Sequence, residues 1–191
     1  MPSDHFTNKD INLYLSYISE VKNLSVNTTS SYKRDLQKLS IFLDSLNIKN
    51  YGEIDDEVCT SWLGNLYSLE NNSKTIQRHL SSAKGFFKFL KKNSIIDSSP
   101  FELVKAPKSP SYLPEVLSPE DVSQLLNFKP TDVLEIRDLA IVELMYSSGL
   151  RVSETANINL DDFEEEMSFL RVLGKGAKTR LVPIGRYAKN A

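Results

Sequence analysis

Cysteine is nearly absent from this sequence. Cys59 is the only one, which excludes an internal disulfide framework and suits the reducing cytoplasm, where the chain is expected to reside, with core filling as the thiol's expected role. Long apolar runs are also missing. The longest, LAIVELMY, is broken by Glu143, and the N-terminal MPSDHFTNKD lacks the apolar core of a signal peptide, so neither membrane insertion nor export is expected. No internal repeat or low-complexity tract is visible. An excess of positive charge is missing too: 23 Lys and Arg against 25 Asp and Glu leave a formal charge of −2, which argues against a nucleic-acid partner if the charge is evenly spread. It is not evenly spread.

What remains is an ordinary globular composition, 40% hydrophobic and 25% charged over 191 residues, enough for one large domain or two small ones. Tyr32, Leu36, Leu39, Leu43 and Leu46 follow the i, i+4, i+7 spacing of an amphipathic helix. Ile76, Leu80, Ala83, Phe87 and Leu90 repeat it. Helical patterns over 7–22 and 55–69, the latter carrying Trp62, complete a four-helix N-terminal domain over residues 1–94. Prolines at 100, 107, 110, 114 and 119 then forbid a continuous helix and favour an extended connection, read as a linker over 95–113. Ser118, Pro119 and Asp121 supply an N-cap, a first-turn proline and an acid for a new helix. A longer helix follows from about 132 to 147, closed by Gly149, and Arg151 stands at the start of the next. MSFLRVL and RLVPIG read as two short strands, with GKGAKT as their hairpin turn.

Basic residues concentrate in two zones. Between Asn71 and Lys92 there are six Lys or Arg and no acid, and Lys74, Arg78, Lys84, Lys88, Lys91 and Lys92 share one arc of a helix, opposite its apolar stripe. Such a face can follow a phosphate backbone, and it reads equally as a solvated helix face. Lys33 and Arg34 add to it, beside hydroxyls from Thr28 to Ser31 that could also meet phosphates. From Arg171 to Lys189 there are again six basic residues and no acid, while acids gather in EIDDE and DDFEEE. This segregation favours a nucleic-acid partner.

The stretch ELMYSSGLRVSETANINLDDF, followed by LRVLGKGAKTRLVPIG, resembles the start of the catalytic domain of the tyrosine site-specific recombinases, the phage-integrase family, especially its bacterial Xer type. TTSSYKRDLQKLSIFL and SKTIQRHLSSAKGFFKFL resemble that family's helical core-binding domain. The resemblance implies a mainly α fold with a small β-hairpin: a four-helix SAM-like core-binding domain, then the N-terminal part of a mixed α/β catalytic domain over 114–191. It implies strand cleavage and rejoining through a 3′-phosphotyrosyl intermediate, with chromosome-dimer resolution at cell division as the expected setting. Double-stranded DNA and partner recombinase subunits, four on paired sites, are the implied partners, with no cofactor and no metal.

Residue by residue, Arg151 matches the first catalytic arginine, whose guanidinium fork binds two oxygens of the scissile phosphate. Glu154 matches an acidic residue that orients the active site. Lys175 matches the lysine that protonates the 5′-hydroxyl leaving group, and Lys178 and Arg180 are expected to touch the DNA backbone. Taken alone, Arg151 and Glu154 read as an i, i+3 surface pair, and GKGAKT as a plain turn that fails the phosphate-loop pattern.

The family's chemistry also needs an H-x-x-R motif and a tyrosine nucleophile. His5 and His79 are followed by FTN and LSS, and Tyr187 falls too early, so no nucleophile is assigned. The expectation is a recombinase sequence that stops after the hairpin, exposes apolar surface on its catalytic portion, and cannot cleave DNA by itself. A non-catalytic DNA-binding protein, an integrase of a mobile element, and a helical interaction module without a DNA role stand as alternatives.

Overall fold

The computed structural model describes residues 8–108, 116–174, 176 and 178–191. They fall into two compact units, divided between residues 112 and 113.

The first unit is helical. α1 (Asn8–Ser16) runs into a wider π-turn (Tyr17–Val21), so the helix expected over 7–22 is present from Asn8 with a change of winding at Tyr17; Thr7 lies outside the described residues. α2 (Val26–Ser45), α3 (Asp56–Ser68) and α4 (Ser73–Lys92) follow, with a 3₁₀ turn at Tyr51–Glu53 before α3. Side chains of Ser25, Asp55 and Asn72 accept hydrogen bonds from the backbone N–H of Thr28, Val58 and Thr75, satisfying donors that each helix start would leave orphaned.

The two apolar stripes meet as their spacing predicts. Leu36, Leu39 and Leu43 of α2 and Ile76, Leu80, Ala83, Phe87 and Leu90 of α4 are all buried, together with Cys59, Trp62 and Leu66 of α3. Leu46 departs from the expectation: α2 ends at Ser45, and Leu46, the capping residue, is exposed. The proline-rich connection departs from it too. Phe101 is fully buried against Phe87, with ring centroids 5.0 Å apart, and Ile95, Ile96 and Val104 pack on the same core. Burying an aromatic ring outweighs the stiffness of the neighbouring prolines, so the start of this segment folds onto the helices.

The second unit opens with α5 (Pro119–Leu126), where Ser118 and Asp121 form the expected capping box around Pro119. α6 (Val133–Ser148) ends at Gly149, whose φ of 62° is the left-handed geometry that favours glycine. α7 (Val152–Thr155) is a single turn capped by Arg151. The sheet holds three strands rather than the two read from the sequence: β1 (Phe163–Glu164), β2 (Phe169–Leu173) and β3 (Thr179–Pro183), antiparallel in that order. β1 lies within the acidic run, whose charge hid its pairing; Phe163 and Glu164 face Leu170 and Phe169 across a turn at Glu165, Glu166 and Met167. In the β2–β3 pairing Leu170 faces Val182 and Val172 faces Arg180. Leu170, Val172, Val182 and Ile184 form one buried face with Leu150. α8 (Arg186–Asn190) follows β3.

Val133, Leu134, Ile136, Ile141 and Tyr146 of α6 are exposed, as is Tyr187, in line with the apolar exposure expected of this portion. No helix among the described residues is long and apolar enough to cross a membrane.

Candidate phosphate site and nucleic-acid interface

The turn after Gly149 decides the geometry at Arg151. Its backbone is extended (φ −80°, ψ 151°) while α7 begins at the next residue, so its own N–H would be orphaned. Glu154, at the third helical position, closes the gap: its Oε2 accepts from the Arg151 backbone N at 2.9 Å, and its Oε1 accepts from Arg151 Nη1 at 2.9 Å. The i, i+3 pair that the spacing alone suggests is therefore present, and it belongs to a larger group. Arg180 reaches across from β3 and donates from both terminal nitrogens, Nη1 to Oε1 and Nη2 to Oε2, each at 3.0 Å.

These donors set the chemistry of Glu154. The Arg180 guanidinium first, then the Arg151 backbone N–H, hold the Glu154 carboxyl down at about 2, against some opposition from burial. The carboxylate stays ionised at any physiological pH. Its side chain is 6% exposed, that of Arg180 38% and that of Arg151 72%, so Arg151 is the member of the trio that faces solvent. An open cleft of about 770 Å³ lies over it, lined among others by Arg151, Glu154, Asn157, Arg171 and Gly174. A guanidinium held through Nη1 and otherwise open to solvent is suited to donate two hydrogen bonds to an oxyanion from its remaining N–H groups.

Arg180, expected from sequence to touch DNA backbone, is engaged with Glu154 while its side chain stays partly exposed. No local signal could have found this contact, because it spans 26 residues and depends on the sheet. Lys175 lies outside the described residues. Lys178 is exposed.

In the helical unit the basic arc of α4 divides into engaged and unengaged cations. Arg78 pairs with Asp35, a carboxylate only 2% exposed in the interface between α2 and α4, and also donates to the Ser31 carbonyl. His79, buried beside it, places Nδ1 3.3 Å from Asp35 Oδ1. Burial pushes the His79 pKa below its ordinary 6.5; Asp35 opposes this, and Arg78 and Lys38 add to it. Lys84 donates to the Glu102 carbonyl and Lys91 pairs with its carboxylate at 3.6 Å. Lys92 and Lys22 lie over the Tyr17 ring, 5.5 and 6.0 Å from its centroid. Lys74 and Lys88 are exposed and make no hydrogen bond or ion pair among the described residues. On α2, Lys33 and Arg34 are exposed, and Arg34 Nη2 donates to Ser31 Oγ at 3.3 Å. Thr28 and Thr29 use their hydroxyls on Ser25 at the helix start.

Comparison with known proteins follows the same division. Residues 11–94 match the phage integrase N-terminal SAM-like domain, and residues 115–191 match the phage integrase family. The chain belongs to the phage integrase family, the tyrosine recombinases. Among its relatives it is similar to tyrosine recombinase XerC of Syntrophus aciditrophicus, 38% identical over 92% of this chain and 59% of the relative. Tyrosine recombinase XerD of Oceanobacillus iheyensis is 37% identical over 93% of this chain and 60% of the relative. The chain thus spans about 60% of the length of these relatives. Two solved structures share the fold: the Tn1549 transposon integrase with a circular intermediate DNA (TM-score 0.68, 18% identity, 95% of this chain and 62% of that one) and the XerH recombinase on palindromic difH substrate (TM-score 0.67, 17% identity, 100% and 61%).

Proposed function

We propose that this chain carries the DNA-gripping and phosphate-binding portion of a Xer-type site-specific recombinase. The observation that carries the reading is the outward-facing guanidinium of Arg151, seated on Glu154 within a chain of this family. Arg151 binds the scissile phosphate and stabilises the charge that builds up as the phosphorus becomes five-coordinate. Lys175 serves as the general acid toward the 5′-hydroxyl leaving group. Glu154 positions Arg151, and Lys33, Arg34, Lys74, Lys88 and Lys178 follow the DNA backbone, with Lys84 and Arg78 contributing only their outer surface because they are already bonded within the protein.

The substrate of this reading is double-stranded DNA; the Tn1549 integrase structure holds a circular intermediate DNA and the XerH structure a palindromic difH substrate. Similarity to tyrosine recombinases XerC and XerD supports DNA recombination as the activity; recombination of paired sites by cooperating subunits, in chromosome-dimer resolution, is the setting we infer for it. Residues 1–191 contain no H-x-x-R motif, so by themselves they hold DNA without forming a phosphotyrosyl bond. The test is duplex binding followed across a salt titration, together with a nicked duplex that traps covalent adducts. Salt-sensitive binding with no adduct is expected. Salt-insensitive binding, or none, would sink the DNA reading, and an adduct would show a nucleophile that has not been assigned.

A further inference from the structure

The role of Arg180 goes beyond contact with DNA. Three donor groups converge on the one carboxylate of Glu154, and two of its four bonds come from the Arg180 fork. A carboxylate facing a single arginine turns both oxygens onto that guanidinium, which is the strongest arrangement open to it. If Arg180 were absent, Glu154 would take Arg151 in that way, neutralise it, and cover the edge needed for a phosphodiester. With Arg180 in place, two guanidiniums share one carboxylate and the trio carries a net positive charge.

We propose that Arg180 is a positioning residue that keeps Arg151 available to a phosphodiester by occupying the two oxygens of Glu154. The proposal rests on the reading of Arg151 as the phosphate-binding arginine. The fold makes room for this contact. A Cβ at Gly174, at the end of β2, would lie 2.9 Å from Arg180 Nη1 and 3.4 Å from the Lys178 carbonyl oxygen, so a larger residue there would push the guanidinium off its seat. Exposure runs in the matching order, with Glu154 shielded, Arg180 partly covered and Arg151 open to the cleft.

The experiment uses the 191-residue chain with ¹⁵N-labelled arginine, titrated with dimethyl phosphate while the Arg151 Nε–Hε resonance is followed by NMR. Arg180→Gln should weaken phosphodiester binding at Arg151 about tenfold, the scale of one charge-assisted hydrogen bond. The double variant Arg180→Gln/Glu154→Gln should recover most of that loss, because removing the carboxylate restores the site's net charge. A merely structural clamp predicts the opposite, a double variant no better than the single one, and that result overturns the proposal. So does wild-type protein in which Arg151 shows no response. Should Arg180→Gln fail to fold, Gly174→Ala displaces the same guanidinium with every charge retained; it should reproduce the loss and raise the Glu154 titration midpoint from about 2. Unchanged binding in that variant refutes the idea. Duplex binding by the α4 lysines is read separately, so its failure would overturn the functional reading and leave the Arg151 result to decide this one.

Discussion

The basic arc of α4 predicts two different outcomes from neutralising neighbouring cations. Lys74 and Lys88 are exposed and unengaged among the described residues, whereas Arg78 is committed to a carboxylate that is 2% exposed. Each phosphate contact contributes about 0.9 to the slope of log K against log salt. Replacing both lysines by Gln should therefore flatten the slope by about 1.8 and leave the melting temperature where it was. Arg78→Gln should do the reverse. Removing one partner of a buried ion pair costs about 3–5 kcal/mol, and the 40% exposure of the Arg78 side chain, which lets water reach Asp35, lowers that to about 2 kcal/mol. For a unit of this size that is a drop of roughly 10 °C in melting temperature, with the salt slope of the folded fraction changed by well under one contact. The assay is fluorescence anisotropy of a labelled duplex across a salt series, paired with calorimetry of the same samples. A flattened slope in Arg78→Gln at unchanged melting temperature would refute the division into structural and DNA-facing cations.

Three further outcomes follow from the same structure. Phe101→Ala should destabilise the helical unit by about 3–5 kcal/mol, as truncation of a fully buried ring does; an effect below about 0.5 kcal/mol in urea unfolding would show that the segment after α4 is not part of that core. Because the folded pKa of His79 is depressed, its neutral form stabilises the helical unit fully above pH 6.5, and that contribution is lost as pH falls from 6.5 toward the lower folded value. Thermal melts between pH 8 and 5 should show the loss in the wild type and a flatter profile in His79→Gln; parallel profiles would contradict it. Glu154 also has a depressed pKa, so its contribution to the second unit is complete above its ordinary 4.5 and disappears as pH falls toward about 2. The difference between wild type and Glu154→Gln should shrink across that window, and a constant difference would mean that the carboxylate is not held by the two arginines.

The parts of this fold that were legible in the sequence are those whose causes are local. Apolar spacing alone is enough to place the facing stripes of α2 and α4, since a side chain that recurs on one face of a helix has to be buried somewhere. Ser118, Pro119 and Asp121 announce α5 because a cap acts within four residues, and Gly149 ends α6 for the same reason. Phe101 was hidden by prolines whose local preference for extended chain was overruled by a core formed from residues far upstream.

The site divides along the same line. Arg151 and Glu154 are three residues apart, and their pairing can be read from spacing, whereas the contact of Arg180 with Glu154 follows from the register that sets Arg180 opposite Val172. A helical wheel groups Arg78 with its lysine neighbours, and only the packing of α2 on α4 reveals Asp35 beneath it. One signal was nonetheless present: Asp35 sits directly beside Leu36 within an apolar stripe, and an acid that must be buried needs a cation from whichever element covers it. A charge inside a buried stripe therefore marks which of the opposing basic residues is structural, and by subtraction which remain free for the proposed DNA contact.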